Sequence, residues 1–181
     1  AADAKVTIDD NALFRQPELA AMQDDTDDDP IEAEARRRGI QYVRLDGSVG
    51  VMGNGAGLVM ATLDEVARAG GKAANFLDLG GGARANVVRS SLELILMNPA
   101  VRSVLVNIYG GITRCDEVAR GILDATSAMT IRVPVIVRLA GTQATEGMEI
   151  LRGSGLTVAP NMQEAARQAV AAAFDEPTPS G

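Results

Sequence analysis

From residue 40 onward the sequence predicts an α/β fold, a doubly wound domain on a mainly parallel sheet. Short β-branched runs alternate with longer stretches whose apolar residues recur every three to four positions, the rhythm of strands wrapped by helices. Val104-Leu105-Val106 and Val133-Pro134-Val135-Ile136-Val137 are continuous apolar runs, as central strands covered on both faces require. Glycine-rich segments follow four of the strands, where the loops of such a sheet meet helix starts.

The strands are expected at Tyr42–Leu45, Val49–Met52, Asn75–Leu79, Ser103–Ile108, Val135–Leu139 and Leu156–Ala159. Helices are expected at Leu58–Ala69, Ala85–Met97, Asp116–Met129, Thr145–Arg152 and Met162–Phe174; Leu58, Val59, Leu63 and Val66 show the spacing. Residues 1–39 break the rhythm. Lys5-Val6-Thr7-Ile8 suits a short strand, and Asp24 to Pro30 a solvated turn. Pro30 then opens a helix running to Arg38, with acids before it at the positive end of its dipole. A calcium loop counted from Asp25 would need Gly and Glu where Pro30 and Arg36 stand, so that reading is rejected. The Pro-rich stretch 176–181 reads as a flexible tail, leaving 40–175 as the α/β domain.

Composition narrows the chemistry. The 181 residues include no histidine, which removes the Ser-His-Asp triad, the Cys-His pair and His metal ligands. One cysteine excludes an internal disulfide and a Cys-based zinc site. Aromatics are 3% and Trp is absent, so no stacking platform for nucleic acid is expected. No apolar run has the roughly 20 residues that cross a bilayer, and no signal peptide is legible; a cytoplasmic protein is expected. Residues 1–34 hold eleven acids and two bases, so the net charge of −7 is an acidic leader ahead of a near-neutral domain. The Ala-Ala-Asp start without Met leads us to expect a fragment of a longer protein.

Four loops are candidates for binding. Gly53-Asn54-Gly55-Ala56-Gly57 resembles a dinucleotide fingerprint, but Leu58 stands where its third glycine belongs, which disfavours a Rossmann-type dehydrogenase. Its glycines permit positive φ and leave amides open to an anion, and Asn54 can both donate and accept. Asp78-Leu79-Gly80-Gly81-Gly82-Ala83 allows close approach but carries no nucleophile. Asn107-Ile108-Tyr109-Gly110-Gly111-Ile112-Thr113-Arg114-Cys115-Asp116 ends a buried strand at a helix start, a phosphate or carboxylate site with a hydroxyl at Thr113 and a charge at Arg114. Cys115 has no neighbouring base and is not expected to be a nucleophile. The fourth loop, Arg138 to Gly147, also follows a strand, and Arg138 at that strand's carboxyl end has two partners open to it: an anion or Asp78.

Five segments carry a family resemblance: Asp9 to Pro17, Gly53 to Leu58, Ala74 to Asp78, Val106 to Asp116 and Val135 to Leu139. In order and spacing they resemble the C-terminal part of the succinyl-CoA synthetase (succinate–CoA ligase) β subunit, across nearly the whole chain. The resemblance implies a flavodoxin-like domain of a nucleoside triphosphate-dependent carboxylate–CoA ligase acting on succinate and phosphate. It implies that residues 1–39 are the end of an ATP-grasp domain, with Asp3 helping to hold Mg²⁺ and its companion Asn upstream. Asn54, Gly110, Gly111, Ile112 and Thr113 match the family's carboxylate and phosphate contacts. A partner α subunit is implied to supply the phosphohistidine and the CoA site, in the cytoplasm or, in a eukaryote, the mitochondrial matrix. The fragment alone is expected to be inactive and to bind no useful metal. Thr113, where an apolar residue is common, leaves malate open as substrate, since a hydroxyl can reward a hydroxyl. A non-catalytic flavodoxin-like interaction module is the rival reading.

Overall fold

The computed structural model describes residues 2, 6, 8–22, 29–80 and 84–174. Asp3, most of the expected strand at residues 5–8, the acidic turn up to Asp28, Gly81-Gly82-Ala83 and the tail lie outside the described residues. Val6 and Ile8 carry no strand structure.

Six strands form one sheet: β1 (Gln41–Arg44), β2 (Val49–Gly53), β3 (Asn75–Asp78), β4 (Ser103–Gly110), β5 (Val135–Gly141) and β6 (Thr157–Val158). Their order is β1-β3-β2-β4-β5-β6; β1 runs antiparallel to β3, and the other pairings are parallel. The antiparallel edge strand β1 lies beside β3 rather than beside its chain neighbour β2, so β3 enters the sheet between them. The helices are α1 (Pro17–Ala21), α2 (Pro30–Arg37), α3 (Ala56–Arg68), α4 (Ala85–Leu96), α5 (Cys115–Ser127), α6 (Ala144–Leu151) and α7 (Met162–Phe174), and a 3₁₀ turn covers Asp10–Arg15.

Two buried clusters lie on opposite faces of the sheet. Against α2, α4, α5 and α6 pack Met52, Leu77, Val104, Val106, Ile108, Val135, Val137 and Leu139. Against α3 and α7 pack Val49, Val51, Leu105 and Ile136. The alternation along β4 and β5 is thus apolar on both sides, as the continuous runs in the sequence require. Small residues Ala165, Ala166 and Ala169 let α7 sit close to the sheet, and Ser103 Oγ donates to the Ala169 carbonyl at 2.7 Å.

The helix expected from Pro30 to Arg38 forms as α2, and its Ile31 and Ala35 are buried in the first cluster. They stand four apart and so share a face. Asp29 caps this helix by accepting from the Ile31 and Glu32 amides, and Arg38 joins it to α4 through Glu93 at 2.8 Å.

The seam between β2 and β3 is unusual. Direct pairing is confined to Gly53 with Asp78 and an isolated bridge between Val49 and Ala73. Between those two points β3 carries one residue more than β2, a β-bulge. The buried Asn75 amide fills the gap: Nδ2 donates to the Val51 carbonyl at 2.8 Å and Oδ1 accepts from the Val51 amide at 3.1 Å.

Candidate functional site

With β1 set aside, the sheet reverses its winding between β2 and β4. Their helices α3 and α7 versus α4 and α5 cover opposite faces, and the loops leaving the two strands diverge at this point. A crevice at the carboxyl ends of strands beside such a reversal is where open α/β sheets bind ligands. The loops found there are the first and third of the four glycine-rich segments.

Asn54 fastens these loops together. Its Nδ2 donates to the Tyr109 carbonyl at 2.9 Å, and its Oδ1 accepts from the Tyr109 amide at 2.8 Å. Both functions of the amide are therefore engaged by main chain. Asn54, expected from the sequence to meet the ligand, makes here a bracing contact that sets the spacing of the two loops.

Asp78 braces the first loop from β3. One carboxylate oxygen accepts from Gly55 N at 2.6 Å and from Gly80 N at 2.8 Å. Gly55 takes φ 109°, a conformation L side chains resist, and turns the chain sharply into α3. The amides of Ala56, Gly57 and Leu58 meet no acceptor among the described residues, and a Cβ at Gly57 would meet open space. Three open amides at a helix start form a receptor for an oxyanion.

The second loop is built differently. Gly110 ends β4 buried, where a Cβ would lie 2.7 Å from Cys115 Sγ and 2.8 Å from the Thr142 carbonyl. Thr142 N donates to the Gly110 carbonyl at 3.0 Å, and Cys115 N donates to the Thr142 carbonyl at 3.0 Å, so the end of β5 clasps the start of α5. Gly111 is exposed with open space where a Cβ would be, Ile112 is fully exposed and Thr113 is half-buried. Burial pushes the Cys115 thiol up, and its Sγ lies 3.2 Å from the Ala140 carbonyl; this sulfur packs rather than attacks.

Arg114 is not the unencumbered cation the sequence suggested. Its Nε lies 3.0 Å from Asp116 and 3.9 Å from Glu117, and Arg120 reaches Asp116 at 3.1 Å. The Arg114 guanidinium beside Asp116, with Arg120 adding to it, holds that carboxyl below its ordinary value. The alternative pairing of Arg138 with Asp78 does not form. Arg138 Nη1 instead donates to Asn107 Oδ1 at 3.2 Å, Asn107 Nδ2 to Thr62 Oγ1 at 2.8 Å, and Thr62 Oγ1 to the Leu58 carbonyl at 2.7 Å. Sequence reading put Asn107 at the head of the third loop without a role and did not single out Thr62. The available signal was a lone amide inside the apolar run from Val104 to Ile108.

Among the described residues no group of three or more His, Cys, Asp or Glu is placed to hold a metal ion, and no helix is long and apolar enough to cross a membrane. With Asp3 outside the described residues, no metal-dependent step is drawn from this chain.

By fold this is a flavodoxin-like doubly wound domain with two glycine-rich helix starts side by side at its switch point. A family profile described as CoA-ligase matches residues 52–172, and the chain belongs to the CoA-ligase family. It is 51% identical over 97% of its length to the succinate–CoA ligase [ADP-forming] subunit β of Nautilia profundicola, of which it covers 46%. It is 51% identical over 94% of its length to the succinate–CoA ligase [GDP-forming] subunit β of Thermus thermophilus, covering 45% of that chain. The chain thus spans about half the length of the curated relatives it matches. Among solved structures, ATP citrate lyase from Methanothrix soehngenii, in complex with citrate and coenzyme A, aligns with a TM-score of 0.72 at 16% identity. That alignment covers 91% of this chain and 49% of the other, and it bears on the fold alone.

Proposed function

We propose that this chain is the C-terminal part of a succinate–CoA ligase β subunit. It would present the carboxylate and phosphoryl site while a partner α subunit brings the nucleophilic histidine and CoA. The carrying observation is the α3 start with its three open amides, held beside the glycine-rich loop before α5 at the switch point by the Asn54–Tyr109 contact. Open amides at Ala56, Gly57 and Leu58 neutralise an oxyanion without a proton to lose, which suits a phosphoryl group in transit. The full absence of histidine from this chain agrees with a nucleophile held elsewhere.

In this reading the α-subunit histidine is phosphorylated by the nucleoside triphosphate and passes the phosphoryl to a succinate carboxylate. The CoA thiol then attacks the acyl phosphate, forming succinyl-CoA and releasing phosphate. Nucleotide and Mg²⁺ belong to an N-terminal half to which Asp3 would contribute. Ile112 and Tyr109 project apolar surface beside the site, and an arriving α subunit would cover it.

Two measurements test this. The chain should co-elute with an α subunit on size-exclusion chromatography. In the complete enzyme Gly111→Asp should fold, because nothing lies within 4 Å of a Cβ there, yet abolish most succinyl-CoA formation by repelling the anion. Full activity of Gly111→Asp would show the site assignment to be wrong.

A further inference from the structure

Arg138 is the charge that the site as described leaves over. Arg37, Arg38, Arg44, Arg68, Arg89, Arg114, Arg120 and Arg167 each lie beside a carboxylate, although several are largely exposed and gain little from it. Arg138 is less exposed than most of these, yet among the described residues its one hydrogen-bond partner is the neutral Asn107 Oδ1. Its Nε is buried and has no partner. Among the described residues no carboxylate pairs with it. Asp78 is spent on Gly55 and Gly80, and Asp116 on Arg114 and Arg120. A partly desolvated guanidinium with a neutral partner is costly to keep, so its compensation is expected from outside the described residues.

Its position says what kind of group that is. Arg138 stands opposite Asn107 in the β4–β5 register, three residues before Gly141 closes the clasp on Gly110. The chain through Asn107 and Thr62 ends at the Leu58 carbonyl, in the first turn of α3, the helix start whose amides are open. That turn carries no acid, so a positive charge held near it adds to the positive potential of the helix start, and the repulsion between the two is relieved when an anion binds.

We propose that Arg138 is the cationic anchor of this site: its guanidinium binds an oxygen of the carboxylate or phosphoryl group that the α3 amides receive. Asn107 and Thr62 act as positioning residues, steering the side chain toward that turn. The inference rests on the anion-site reading given under Proposed function and names the residue that supplies its charge.

The probes are sodium succinate and inorganic phosphate, titrated separately into the 181-residue chain and followed by the amide resonances of Ala56, Gly57 and Leu58. Which probe saturates distinguishes a carboxylate from a phosphoryl subsite. Arg138→Met is expected to weaken the saturating probe about tenfold or more, the loss of a charge-assisted hydrogen bond. Arg138→Lys keeps the charge without the fork and should lose less, about three- to fivefold. Arg102→Met, at the opposite end of β4, should titrate as the parent does. Parent-like binding by Arg138→Met overturns the inference and leaves the anion site standing. Should that variant not fold, parent-like binding by Arg138→Lys overturns it. If neither probe perturbs the parent chain, the underlying reading falls with it. Unchanged titration together with loss of α-subunit co-elution would assign the charge to a protein carboxylate, which also overturns the proposal.

Discussion

The starts of α3 and α5 leave neighbouring parallel strands through glycine-rich loops, yet they are prepared for an anion in opposite ways. The first turn of α3 has no acid, and its amides stand open. The first turn of α5 holds Asp116 and Glu117, whose charges already complement its dipole and are themselves held by Arg114 and Arg120. Glycine content is similar in the two loops. What differs is where the nearest carboxylate points: Asp78 lies behind α3, bound to Gly55 N, whereas Asp116 is part of α5 itself. A helix start is an anion receptor only to the extent that its own sequence has not already filled the role.

The sharpest way to break this contrast is at the clasp. Gly141 has φ 89°, and a Cβ there would lie 2.0 Å from the Gly110 carbonyl oxygen. Gly141→Ala should therefore destabilise the domain by about 3 kcal/mol or more, read from urea midpoints, because backbone must move. Next in size, Asn54→Ala removes both contacts to Tyr109 and leaves main-chain groups short of partners. It should cost about 1–3 kcal/mol and increase hydrogen exchange at the Tyr109 amide; an unchanged exchange rate would show that the loops hold their spacing without it.

Asp116→Asn tests the α5 side through pH. The carboxyl is depressed below 3.8 in the folded protein, chiefly by its hydrogen bond from Arg114. The stability it contributes is thus present above pH 3.8 and fades as pH falls through the folded value. The parent should exceed Asp116→Asn in urea midpoint at neutral pH, and the gap should narrow as pH falls below 3.8. The same substitution unmasks the α5 dipole, so phosphate should bind about two- to fivefold more tightly; weaker binding would reverse the comparison. Smallest of all, Gly57→Ala fills open space on a helix and should gain up to about 1 kcal/mol by thermal or urea denaturation.

Much of this was legible in the chain. Strand and helix periods fall within a residue or two of the observed elements, since both faces of the sheet are apolar and the rhythm is uninterrupted from Val49 to Phe174. The two loops of the site were legible because glycines there serve visible backbone demands. Less legible was the use of side-chain hydrogen bonds. Asn54 offers the same two functions to a ligand or to Tyr109, and only the distance between two loops from nonadjacent segments decides which. Asn107 hid in an apolar run because its partners, Thr62 and Arg138, lie 45 and 31 residues away. The place of α2 in the core was obscured by its charge, since three buried aliphatic positions, two of them alanine, are a weak periodic signal among four acids and bases.

The extra residue at Asn75 has a consequence for the site. Side chains on a strand change sides at every step, so an inserted residue reverses the phase of all that follow. Ala73 and Phe76 pack with the cluster under α3 and α7, while Ala74 and Leu77 pack with the opposite one, each pair three residues apart where an uninterrupted strand would put them on different sides. The reversal carries forward to Asp78. It delivers that carboxylate to the α3 side of the sheet, beneath the Gly55 amide, and an in-phase strand would have turned it away. A one-residue miscount between two strands thereby sets which side of the sheet the α3 loop is held from.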